Sequence, residues 1–160
     1  MPTSSPAGQL LLEFSLIKFD EITAIVASMS DTEAVRHSGL PGANTPYGIL
    51  NHVLGMMRRW SSSVNRGIEI SRNREAEFTA VGSVDELLDR AGKTRQAFIS
   101  DVLAVDFRQA PVQVPEGREI FWTSTTGGVL LHVFEELCQH LGQLEITRDL
   151  LGAISEGENQ

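Results

Sequence analysis

The chain is constrained most by four stretches in which apolar residues recur at helical spacing, each with one apolar stripe to hide. They run from Gln9 to about Met29, from Thr45 to about Trp60, from Ser83 to Leu103 and from about Gly127 to Leu151. The 3.6-residue period marks each as an amphipathic helix, and four such helices bury their stripes most economically against one another. The expected fold is therefore all-α, a four-helix bundle. The connections after the first and second helices each span roughly 15 residues or more, long by the usual standard, so long crossovers are expected. A strand pair over 112–114 and 119–121 is the only β signal. Residues 1–8, rich in Pro, Ser and Gly, read as a tail, 9–152 as a single domain and 153–160 as a second tail.

Local chemistry places the helix ends. Thr45 is a good N-cap, with Pro46 at the first helical position, where its missing N–H costs nothing. Ser83-Val84-Asp85-Glu86 has the form of a capping box. Gly152 is the expected stop of the last helix. In the first helix Leu10, Phe14, Ile17, Ile25 and Met29 form the predicted apolar stripe, and in the second Ile49, Leu50, Val53, Met56, Met57 and Trp60.

Composition narrows the function classes. The net charge is −8 and the pI about 4.9, and no basic stripe is visible, which argues against nucleic-acid binding. No apolar run approaches the ~20 residues of a membrane span. The N-terminus lacks the pattern of a secretory signal, so a cytoplasmic location is expected. The single cysteine, Cys138, rules out an internal disulfide and a Cys-rich zinc site, and is expected to pack as a small buried hydrophobe.

The chemistry lies where polar residues interrupt the apolar faces. In the last helix Val129, Val133, Leu137, Leu141, Leu144 and Leu151 project onto one arc, and Glu136, His140, Gln143 and Thr147 line its edge. Glu136 and His140, four apart, share a face. His52 borders the stripe of the second helix in the same way. Two imidazoles and one carboxylate would give a cation three ligands and leave positions open, the pattern of catalytic zinc and of non-haem iron. His132, four residues before Glu136, forms an equally spaced pair, although it projects further towards the polar side; His37 falls in an irregular stretch. Arg148 projects near the middle of the apolar arc, where it must pair with an acid, reach out at the bundle end or meet an anionic ligand. Trp60 and Trp122 read as core or pocket-wall aromatics.

The run from Thr45 to Gly55, with Arg59-Trp60 shortly after, resembles the second helix of DinB-like proteins, and Leu131 to Leu144 resembles their last helix. The similarity is greatest to the branch that includes the mycothiol-dependent maleylpyruvate isomerases and mycothiol S-transferases, and it extends over essentially the whole chain. The resemblance implies a four-helix bundle with long crossovers and a divalent metal held by His52, Glu136 and His140. Zinc is the first expectation, with nickel or iron as alternatives. It further implies a transferase in which the metal activates a low-molecular-weight thiol, mycothiol or a similar molecule, for attack on an electrophile. Met56, Met57, Trp60, Gln143 and Arg148 are the expected substrate-binding residues. Many relatives carry a further His where Gln143 stands, and some carry a second domain that this chain is too short to include. A metal-dependent hydrolase and a non-catalytic metal-binding bundle are the competing readings, and a homodimer is the expected assembly.

Overall fold

The second helix starts as its residues dictate: the Thr45 side chain accepts a hydrogen bond from the Gly48 N–H, and Pro46 takes the first helical position. The computed structural model describes residues 6–158 of the chain, with side chains described up to residue 154. In chain order the α-helices are α1 (Pro6–Ala27), α2 (Asp31–Ala34), α3 (Pro46–Met57), α4 (Arg74–Glu77), α5 (Val84–Leu103) and α6 (Thr126–Glu158). A π-helical segment, Arg58–Val64, continues α3, and a 3-10 turn, Phe121–Ser124, precedes α6. The four long helices close a ring in the order α1, α5, α3, α6. The two short helices, α2 and α4, sit in the two long crossovers. Among the described residues no helix is long and apolar enough to cross a membrane.

Helix α3 is the centre of the bundle. All but one of its residues are buried, including the whole predicted stripe Ile49, Leu50, Val53, Met56 and Met57. The stripe of α6 is buried as expected, with Leu130 added. The π-helical segment is anchored by a buried acid: the Ser61 and Ser62 hydroxyls donate to Asp101 Oδ2 on α5, and Arg66 Nη1 donates to Asp101 Oδ1 at 2.7 Å. The anchored face carries Ser61 and Ser62, and Arg59 and Trp60 line a cavity.

Helix α1 corrects the predicted stripe. Leu10, Phe14 and Ile17 are 55%, 52% and 49% exposed, and the buried row is Ser15, Phe19, Ile22 and Val26. Both rows have helical spacing. The buried one contains a serine whose hydroxyl donates to the Leu11 carbonyl at 2.7 Å, so its burial leaves no polar group unpaired.

Four other expectations are also corrected. Ser83 is the N-cap of α5, but its hydroxyl makes no capping bond; the Val84 N–H donates instead to Asp31 Oδ1 of α2 at 2.8 Å. A carboxylate at a helix N-terminus is the stronger acceptor, through its charge. The strand pair does not form: the Gln113 N–H donates to the Val64 carbonyl at the end of the π-helical segment (3.0 Å), and 121–124 turn into the 3-10 helix. Gly152 does not stop α6, which runs on to Glu158. Helix also begins at Pro6, inside the expected N-terminal tail; residues 1–5 and 159–160 lie outside the described residues.

The burial pattern of α1 predicts unequal costs for truncation. Phe19→Ala is expected to cost about 3–5 kcal/mol of unfolding free energy, and Leu10→Ala less than about 1 kcal/mol. Urea titration of the two variants measures both.

Candidate metal centre

Two adjacent helices supply the donor groups. The ligand atoms of His52 on α3 and of Glu136 and His140 on α6 all lie within 4.8 Å of one another. Glu136 Oε2 stands 3.6 Å from His140 Nε2, and the His52 and His140 ring centres are 4.8 Å apart, edge to face. A tetrahedral zinc site with bonds of roughly 2.0–2.2 Å spaces its donors about 3.4 Å apart. Small side-chain rotations therefore suffice to draw the set around one ion.

Each imidazole is oriented through its other nitrogen. His52 is 3% exposed, and its Nδ1 lies 2.8 Å from Glu77 Oε2. Glu77 is fixed in turn by Arg72, whose Nε and Nη2 donate to its two oxygens at 2.6 and 2.9 Å. The Asn51 side-chain amide donates to the Glu77 carbonyl at 2.9 Å, and Arg90 donates to the Asn51 side-chain oxygen at 2.7 Å. Phe78 stacks on the His52 ring at 4.2 Å. His140 Nδ1 lies 3.0 Å from Gln143 Oε1, which can only accept. With both Nδ1 atoms engaged, the two Nε2 atoms are left as the free donors, and such outer partners are what fix the ring and tautomer at metal sites.

The electrostatics suit the same role. Burial pushes the His52 pKa down, against the opposing hydrogen bond that its Nδ1–H donates to Glu77, so the neutral ring is favoured. The Glu136 carboxyl is held below its usual range, chiefly by the adjacent His140 ring and further by the neighbouring His132, and together these outweigh desolvation.

The remaining expected residues fall in different places. Met56 and Trp60 line a cavity of about 260 Å³ that also touches His52 and Glu136. Met57 is fully buried in the core and does not line it. Gln143 serves as the partner of His140. Arg148 is exposed and pairs with its neighbour Asp149, beside a separate cavity with Met29, Glu33 and Leu151. His132 lines the cavity near the donors: it stacks on Trp122 at 3.9 Å, meets Trp60 edge-on at 5.4 Å, and places Nε2 3.9 Å from Glu136 Oε1. Of the two tryptophans Trp60 lines the cavity, and Trp122 packs on it edge to face at 5.0 Å. His37 is not among the clustered donors. Cys138, expected to be buried, is exposed on α6.

Glu77, Arg72 and Phe78 were not legible as site residues. They come from a charged stretch without apolar period, and a clue to their place lies in two glycines on α3. A Cβ on Gly48 would stand 2.6 Å from the Phe78 carbonyl oxygen, and one on Gly55 would collide with Glu77 Oε1. These positions, seven residues or two turns apart, let the second crossover lie directly against α3.

The bundle with its His-Glu-His cluster defines a DinB-like protein, as the motifs on α3 and α6 suggest. A family model described as Mycothiol-S-transferase matches residues 11–153, and the chain belongs to that family. The fold is also that of a solved structure from Enterococcus faecalis, described only as a conserved protein of its locus. The two share 15% identity with a TM-score of 0.67, over 96% of this chain and 99% of that one. No curated protein matches the sequence.

A buried imidazole with a depressed pKa links stability to pH. The unfolded chain binds the His52 proton more readily than the folded one, so its stabilising contribution is complete above the ordinary value of 6.5. It is lost as pH falls from there through the lower folded value. Urea midpoints of the metal-free protein are therefore expected to decline as pH is lowered from 7.5 to about 5.5, with a shallower decline in His52→Gln.

Proposed function

We propose that this chain is a metal-dependent thiol S-transferase in which His52, Glu136 and His140 hold a divalent cation, zinc in the first instance. The observation that carries the reading is the convergence of three donor atoms within 4.8 Å, two of them from residues lining one cavity, in a member of the mycothiol S-transferase family. The co-substrate would be a low-molecular-weight thiol of the mycothiol type. When bound, such a cation lowers the pKa of a thiol coordinated to it and so favours the thiolate at neutral pH.

The protein's own residues do the positioning. Glu77 and Gln143 hold the two rings with Nε2 free. A donor set of only three leaves coordination space for a co-substrate. Met56 and Trp60 supply an apolar wall for the body of a substrate, and His132, held by its stack on Trp122, lines the same cavity.

His140→Ala is expected to lower zinc content to background and to abolish formation of the thioether between mycothiol and a test electrophile. Metal analysis and mass spectrometry of the product measure the two together. Thioether formation that persists in the metal-free variant would overturn the reading, and turnover of substrate without thiol would point to hydrolysis. Glu77→Gln and Gly55→Ala, which remove or displace the partner of His52, are each expected to weaken zinc binding about 10–100-fold in competition with a chromophoric chelator.

A further inference from the structure

The cavity beside the donor cluster has a charge opposite to that of the chain. The protein carries 21 acidic residues against 13 Lys+Arg, and its overall field repels anions. Four arginines nevertheless line this one cavity: Arg59, Arg72, Arg74 and Arg118. Among the described residues Glu136, a member of the candidate donor set, is the only carboxylate lining it. Arg72 is committed to Glu77. Arg59 donates to the neutral Ser63 hydroxyl at 3.1 Å. Among the described residues, the guanidinium groups of Arg74 and Arg118 have neither an acidic partner nor any other acceptor.

These two come from different parts of the chain. Arg74 opens α4 in the second crossover, and Arg118 lies in the connection between α5 and α6. Like-charged groups brought to one small volume without a counter-charge oppose folding, and a bound anion relieves that opposition. A guanidinium presents a planar fork that matches a carboxylate or phosphate edge with two parallel hydrogen bonds.

We infer that the cavity takes a small electrophile bearing an oxyanion, a carboxylate or a phosphate, with Arg74 and Arg118 holding that group and Met56 and Trp60 packing its apolar body. The inference deepens the transferase reading and rests on it for the word electrophile. For a halide substrate the thiol sulfur forms the new C–S bond. The halide departs with the electron pair of the broken carbon–halogen bond, and the thiol proton passes to solvent.

The test uses the zinc-loaded protein with mycothiol and two electrophiles, 4-(chloromethyl)benzoate and its methyl ester, which differ only in the charged group. The kcat/KM ratio of carboxylate to ester is expected to favour the carboxylate by about tenfold or more. The ratio should fall by a similar factor in the R74Q/R118Q double variant and stay unchanged in Arg95→Gln, which removes an equivalent charge from the distant pair with Asp20. A ratio near one in the wild type, or one that the double variant leaves intact, would overturn the inference. If neither electrophile is conjugated, the transferase reading fails and the anion site is judged by calorimetry with the unreactive 4-methylbenzoate. Binding that weakens about tenfold in R74Q/R118Q supports the site. No binding, or binding lost on zinc removal but indifferent to the arginines, refutes it.

Discussion

An imidazole cannot be sealed inside a helical bundle without a hydrogen-bond partner, and the site follows from how this chain meets that demand. Helix α3 has almost no solvent face, so His52 must be satisfied by other protein groups. The partner is Glu77, itself a buried acid that would be costly alone. Arg72 neutralises it through two hydrogen bonds, and the Asn51 amide ties down its backbone. A polar chain of arginine, carboxylate and imidazole thus crosses from the second crossover to α3. The crossover that carries it is part of the architecture of the candidate site.

The division between legible and illegible features is physical. Thr45-Pro46, the stripes of α3 and α6, and the spacing of Glu136 from His140 are local properties, and the structure reproduces them because local chemistry decides them. The buried row of α1 was hidden because Ser15 reads as polar, although back-bonding to Leu11 lets it be buried. Ser83 is the N-cap of α5 as its sequence suggests, but the capping bond comes from Asp31, fifty-three residues before Val84. Glu77 escaped notice for the same reason: its role depends on a contact across twenty-five residues. Arg148 projects onto an apolar arc, yet on α6 it is exposed and pairs with Asp149. Long-range pairing is the information that periodicity does not contain.

The two halves of the donor set are held differently. Glu136 and His140 sit on one uninterrupted helix, one turn apart, and their relation is set by helix geometry alone. His52 belongs to another helix, so its distance from them is fixed by the packing of α3 against α6. The π-helical segment that follows α3 places Arg59 and Trp60 along the cavity and turns Ser61 and Ser62 towards Asp101. Wider turns of this kind are frequent where a helix must present side chains for function.

The two missing side chains on α3 also act as a vernier. Gly48 and Gly55 form notches at a fixed interval, and the neighbouring segment seats its Phe78 carbonyl in one and its Glu77 carboxylate in the other. A slip of one turn, about 5.4 Å along the helix, would drive the same groups into occupied positions such as Asn51. The alignment that sets Glu77 opposite His52 is thereby written into the helix as absences, at places where even a methyl group is too much.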